Sequence, residues 1–127
     1  MDMASLNKLV LLDTNFVLSC YKFGINLEEI DRIVDEAHEI VVPENVLREL
    51  KHLNLKGKDE EARKTMLTIL NRYPVLPLHN KVDASLLEYA QLHDCIVCTN
   101  DRNLRKKLKK MGKKTIFVRA RSHLEME

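Results

Sequence analysis

Four carboxylates in this chain stand where chemistry is expected: Asp13, Glu49, Asp83 and Asp101. Asp13 follows the apolar run of "KLVLLDTN", and Asp101 follows that of "CIVCTND". An apolar segment that ends on a charge delivers the charge to the rim of a buried element. Asp83 stands at the start of "DASLLEYAQLH", which leads into "CIVC". Glu49 lies in "ENVLRELKHL" at helical spacing from Val46 and Leu53, on the margin of an apolar face. Four such acids brought together repel one another, and only cations neutralise the cluster. Oxygen-only ligands favour a hard divalent ion, Mg²⁺ or Mn²⁺, over zinc. Mg²⁺ held by a few carboxylates, with water and phosphate completing its shell, is a usual arrangement for phosphoryl chemistry.

Each acid also has an ordinary structural use. Asp83 and Asp101 precede or open helices, where a carboxylate accepts backbone N–H bonds and meets the favourable end of the helix dipole. A cap of this kind contributes about 1 kcal/mol and needs no function. Glu49 taken alone is a flank residue of its helix. Asp13 is the hardest to explain this way, because Thr14 or Asn15 can cap the next helix without it. The functional reading therefore belongs to the set and not to any one member.

The elements that must position these residues are short. "KLVLLD", "IVVP", "CIVCTN" and "KTIFVRA" read as strands. "PVLPLH" carries Pro74 and Pro77, so it is an edge strand or a linker. "NFVLSCYKF" reads as a helix ended near Gly24. "NLEEIDRIVDEAHE" reads as a longer one, with Asn26 as cap, Glu29 three residues on, and Leu27, Ile30, Ile33, Val34 and Ala37 at helical spacing. "ENVLRELKHL" follows, and after a break at "KGKD" comes "EEARKTMLTILNRY", with Ala62, Met66, Ile69 and Tyr73 on one side. "DASLLEYAQLH" turns Leu86, Leu87, Ala90 and His93 inward, and "DRNLRKKLKKM" turns Leu104, Leu108 and Met111. "RSHLEME", roughly residues 121–127, reads as a tail.

Strands that lack a period-2 pattern are covered on both faces. The order predicts one α/β domain over residues 1–127: a three-layer α/β/α sandwich around a mainly parallel sheet of four to five strands. Ligands of such sheets sit beyond the carboxyl ends of the strands, where Asp13, Thr14, Asn15, Thr99 and Asp101 fall.

The chain of 127 residues is long enough for a proper core, and its net charge of +2 announces no nucleic-acid partner. The local distribution is different. Between positions 102 and 121, Arg102, Arg105, Lys106, Lys107, Lys109, Lys110, Lys113, Lys114, Arg119 and Arg121 follow one another with no acid between them. Such a run is ordinarily a solvated helix face. Its helix begins at Asp101, however, which puts Arg102 and Arg105 within reach of a phosphate, and Lys106 and Lys109 would add a salt-sensitive term. With 5% aromatic residues, base stacking is not obvious, and RNA shape or a partner would supply the readout.

Cys20, Cys95 and Cys98 are an odd number, against a disulfide framework. Cys95-x-x-Cys98 has zinc-like spacing but no second pair, so buried structural cysteines are expected. No apolar run approaches the roughly 20 residues of a membrane helix, and "MDMASLNK" lacks a signal-peptide pattern. A soluble, cytoplasmic protein with no membrane partner is expected.

With "LLDTNFVL", "VPENVLREL", "VDASLLEYA" and "CTNDRNLRKKL" in this order, the chain resembles a PIN-domain ribonuclease over nearly its whole length. That family is similar in fold to the 5′-nucleases. The resemblance implies that Asp13, Glu49, Asp83 and Asp101 are catalytic and hold Mg²⁺ or Mn²⁺. Glu49 matches a "P-x-x-V-x-x-E-L" helix through Pro43, Val46 and Leu50; Asp83 has Ala90 downstream; Asp101 closes "T-x-D" with Thr99. Thr14 or Asn15 would support the site, with Thr99 beside them. The implied activity is metal-dependent endoribonuclease cleavage of single-stranded or structured RNA, leaving a 5′-phosphate and needing no His or Lys base. "DTNF", "VLREL" and "TNDRNLRKKLKKMGKKTIFV" most resemble the members that process ribosomal RNA precursors. Single-domain toxins of toxin–antitoxin pairs are the rival subgroup, and the chain has no zinc-binding tail of the kind some processing members carry. Implied partners are RNA, a second copy in a homodimer, and a ribosome-assembly protein or an antitoxin.

Two readings come from other classes. One is a non-catalytic RNA-binding or assembly module on the same fold. The other is a phospho-acceptor domain of the response-regulator type. That one needs paired acids after the first strand and a late Lys, whereas "LVLL" is followed by one acid, and Arg119 and Arg121 occupy the later region.

Overall fold

The computed structural model describes residues 7–53 and 58–127. In chain order it forms β1 (Lys8–Leu12), α1 (Thr14–Lys22), α2 (Glu29–Ile33), β2 (His38–Pro43), α3 (Glu44–His52) and α4 (Lys58–Leu70). There follow β3 (Val75–Leu76), α5 (Val82–Leu92), β4 (Cys95–Cys98), α6 (Arg102–Lys110), β5 (Thr115–Arg119) and β6 (His123–Met126). The Lys56-Gly57 half of the expected break lies outside the described residues.

The strands line up as β3-β2-β1-β4-β5-β6. All pairs are parallel except β5 with β6. The continuous apolar runs explain the centre: all four residues of β4 are buried, and Val10, Leu11 and Leu12 of β1 are inaccessible. The chain steps outward from β1 to β2 to β3, then returns across the sheet to β4 and steps the other way to β5. Right-handed crossovers put helices on one face for the first direction and on the other for the second. Accordingly α1, α3 and α4 contact one another, and α5 contacts α6. This is the expected three-layer sandwich. The strand order reverses between β1 and β4, so the position where such sheets take their ligands falls at the carboxyl ends of these two strands.

Four local expectations are corrected. Among the described residues the sheet has six strands where four to five are expected, and the extra one is β6, inside the segment that reads as a tail. Ala120 and Arg121, with φ of 51° and 56°, reverse the chain, and Leu124 is buried. An antiparallel edge strand needs only one inward face, and a single Leu is a weak signal of it. The helix over "NLEEIDRIVDEAHE" shrinks to α2, because Val34 is already extended and His38 is drawn into β2 opposite Lys8. Asn26 accepts from the Glu28 N–H at 3.0 Å, so it closes a turn and does not form the expected box. His93 is exposed instead of inward, its ring stacked on Tyr89 with centroids 4.3 Å apart.

The cysteines are free and buried. Burial pushes the Cys20 thiol up to about 12 and that of Cys95 up to about 11, and raises Cys98 as well. They are core residues and not nucleophiles. Among the described residues no helix is long and apolar enough to cross a membrane.

The start of β2 carries its own electrostatic anchor. His38 Nε2 lies 2.6 Å from Asp31 Oδ1, and Nδ1 lies 2.7 Å from the Glu36 carbonyl. Burial works against the imidazolium, but the Glu36 carbonyl and the Asp31 carboxylate outweigh it and raise His38 above its usual value. A raised folded pKa contributes stability that is full below the unfolded value of about 6.5 and is lost as pH rises through the folded one. In Asp31→Asn, an NMR titration of the His38 ring should therefore show a lower midpoint than in the wild type, and the loss of stability as pH rises through that midpoint should shrink.

Candidate active site

Asp13 stands at the reversal point. Its N–H donates to the Cys98 carbonyl at 2.9 Å, which extends the β1–β4 ladder by one rung. Asp13 is also the N-cap of α1, its Oδ1 accepting from the Thr14 N–H at 2.8 Å. The expected caps, Thr14 and Asn15, are displaced from that role because α1 starts immediately after Asp13, with no spare residue between. The Thr14 hydroxyl is buried with no partner among the described residues. Asn15 Oδ1 accepts from the Asn100 N–H at 3.2 Å, and Asn100 Oδ1 accepts from the Val118 N–H at 2.9 Å. The ends of β1, β4 and β5 are thereby locked in sequence.

The second oxygen of Asp13 accepts from the Thr99 hydroxyl at 2.6 Å. That hydroxyl oxygen accepts from the Asp101 N–H at 3.2 Å. Asp101 caps α6, its Oδ1 taking the N–H groups of Asn103 and Leu104 at 2.9 and 3.2 Å. The ordinary use of Asp101 is therefore real, and it occupies one oxygen. Asp83 is not a cap. The capping position of α5 is Lys81, and Asp83 lies exposed in the first turn. Glu49 is exposed on α3.

Sequence reasoning misses the pair that joins those last two helices. Asn45, one turn before Glu49, is buried. Its Nδ2 donates to Ser85 Oγ at 2.7 Å and to the Asn80 carbonyl at 2.8 Å, and Ser85 Oγ donates to the Val82 carbonyl at 2.8 Å. The available signal is a polar residue beside Val46 on the inner face of an amphipathic helix.

Burial pushes the Asp13 carboxyl up to about 6. The Thr99 and Thr14 hydrogen bonds pull it down, and the charges of Asp83 and Glu49 push it up again. Asp13, Asp83 and Glu49 thus share one electrostatic neighbourhood, and Asp101 joins it through Thr99. Among the described residues no group of three or more His, Cys, Asp or Glu side chains is gathered as a ready ligand set. The donors nevertheless fit a hard divalent cation: they are all oxygens, one is buried, and their mutual repulsion is what a cation relieves. Of the basic residues, Arg102, Lys106 and Lys109 are exposed, and Arg105 is half-buried with its guanidinium 4.0 Å from the Phe117 ring centroid.

Residues 10–121 match the family described as a PIN like domain. The chain belongs to this PIN-like family. It is similar to "Ribonuclease VapC4" of Methanocaldococcus jannaschii, 32% identical over 121 residues that cover 90% of this chain and 92% of that protein. It is also similar to "Ribonuclease VapC9" of Archaeoglobus fulgidus, 32% identical over 108 residues that cover 80% of this chain and 76% of that protein. Among solved structures, that of the PIN domain endonuclease Utp24 superposes with a TM-score of 0.77 and 25% identity, covering 94% of this chain and 90% of that one.

In this PIN-like domain the raised pKa of Asp13 has a stability consequence. Its folded value of about 6 exceeds the unfolded carboxylate value, so the folded state holds the proton longer. Stability from this group is full below pH about 4 and falls as pH rises to about 6, by at most about 3 kcal/mol. Urea unfolding in EDTA should show this fall in the wild type relative to Asp13→Asn, which becomes the more stable protein at pH 7. A wild type that gains stability over the variant across this window contradicts the placement. Asn45→Ala should lose about 1–2 kcal/mol in the same measurement, since it strips a donor from the Asn80 carbonyl and Ser85.

Proposed function

We propose that this chain is a divalent-metal-dependent endoribonuclease that hydrolyses RNA phosphodiester bonds at the carboxylate site around Asp13. The observation that carries the reading is a buried carboxylate at the strand reversal, hydrogen-bonded on both oxygens and set in the field of Asp83 and Glu49. Membership of the PIN-like family and 32% identity to two proteins named ribonucleases support it.

Asp13, Glu49, Asp83 and Asp101 would hold Mg²⁺ or Mn²⁺. When bound, such an ion polarises a phosphoryl oxygen and lowers the pKa of water towards neutrality. The protein's own residues do the positioning. Thr99 fixes one Asp13 oxygen and the Asp101 backbone together. Asn45 and Ser85 hold the helices of Glu49 and Asp83 in register. Thr14 and Asn15 complete the turn that presents Asp13. Arg102 and Arg105, at the first turn of α6, would meet the substrate's phosphates, and Lys106 and Lys109 add longer-range attraction.

Two pathways compete for this activity. The motifs "DTNF" and "VLREL" support processing of ribosomal RNA precursors, with a ribosome-assembly partner. The relatives named VapC support the rival reading as a toxin-type ribonuclease with an antitoxin partner. Mapping the cleaved RNA separates them: a single site in a ribosomal precursor against mature cellular RNAs.

Purified protein should cut single-stranded RNA in Mg²⁺ or Mn²⁺ and leave 5′-phosphate ends. EDTA and Asp13→Asn should each reduce cleavage to background. Thr99→Val should cost about 10- to 100-fold, the usual effect of removing a group that orients a ligand. An Asp13→Asn protein that cuts RNA at the wild-type rate in Mg²⁺ sinks the assignment. A wild type that binds RNA yet never cuts it favours the non-catalytic module.

A further inference from the structure

Beside the carboxylate site, a cleft of about 440 Å³ opens between the first turn of α6 and the end of β5. Asn100, Arg102, Arg105, Phe117, Arg119 and Glu127 are among its walls. Asn100 and Arg102 flank Asp101 in the chain, so the cleft begins next to the acid that caps α6, although none of the four acids lines it.

The cleft suits an anion and is only partly neutralised. Three arginines line it, against one lining carboxylate. Arg105 Nη1 lies 3.8 Å from Glu127 and Arg119 Nη1 lies 3.0 Å from Glu125, so two carboxylates at the end of the chain steady two of the arginines. Arg102 has no ion-pair partner among the described residues. The Arg105 guanidinium sits over the Phe117 ring, and its Nε is buried with no hydrogen-bond partner among the described residues. Asn100 spends its Oδ1 on the Val118 N–H, which leaves its Nδ2 as a further donor. Guanidinium forks match phosphate oxygens in pairs.

We propose that this cleft binds a phosphodiester phosphate of the RNA strand, adjacent to the bond that is cut, with Arg105, Arg119 and Arg102 as its donors and Asn100 in support. The identity of the strand rests on the endoribonuclease reading. Arg119, at the end of β5, thereby joins Arg102 and Arg105 of α6 across the cleft, and the phosphate is gripped from two elements instead of one helix face.

Binding is measured without cleavage. A fluorescent single-stranded RNA with hydroxyl ends, which carries only diester phosphates, is titrated against the full chain in EDTA at several salt concentrations. Arg119→Gln should weaken binding about ten-fold, the loss of one charge-assisted contact. It should also lower the slope of log affinity against log salt by about one. Lys64→Gln, which removes the same charge from an exposed position of α4, should change neither. Equal losses in the two variants, or wild-type binding by Arg119→Gln, overturn the proposal and leave the cleft to a carboxylate-bearing partner. A wild type that does not bind this RNA at low salt overturns it too. Because no metal is present, the two readings fail separately. RNA cut in Mg²⁺ with no effect of Arg119→Gln on binding removes the cleft alone. The expected binding losses with no cleavage remove the nuclease alone.

Discussion

The hydrogen bond from Thr99 to Asp13, 2.6 Å long, is the contact on which the rest of the site depends. It spans the two strands between which the sheet reverses direction. A carboxylate buried at that point is unfavourable unless its oxygens are satisfied. The Thr14 N–H and the Thr99 hydroxyl satisfy one each. The same hydroxyl accepts the Asp101 N–H, so one side chain sets the position of two of the acids. Beside it, Asn15 and Asn100 carry the lock across to β5.

The surrounding core makes this arrangement rigid. Leu11, Leu12, Val97 and Cys98 are inaccessible, so the strand ends cannot shift to relieve the charges they present. An unfavourable local feature is tolerated when a packed scaffold over-determines it, and such features gather where function needs them. The like charges around Asp13 are thus a property of the fold, imposed by two strands and two helices that each have structural reasons to be where they are.

The core strands are legible in the sequence because a strand covered on both faces is a continuous apolar run, as in "LVLL" and "CIVC". The carboxyl-end rule then locates Asp13 and Asp101 without a structure. β6 is not legible, since one buried Leu in "HLEM" carries no pattern. The helical spacing of "NLEEIDRIVDEAHE" is outweighed by sheet pairing at His38, a long-range effect that local periodicity does not contain. Asn45 and Ser85 escape for the same reason: each looks like an ordinary helix residue until the other is brought beside it.

The long range of these contacts governs how the site comes to exist. Thr99 and Asp13 are 86 positions apart, and Asn45 and Ser85 are 40 apart. Neither bond can form until the return crossover through α5 is in place, because it carries Ser85 to α3 and sets β4 beside β1. Closing such loops costs entropy before any contact offsets it. Asp13 therefore takes up its full set of bonds only in the completed fold, and a partly folded chain offers it the neighbouring Thr14 N–H but not the Thr99 hydroxyl. The apolar core supplies the free energy that holds Asp13 in the field of Asp83 and Glu49, and the hydrogen bonds of Thr99 and Asn45 fix the elements that carry these acids.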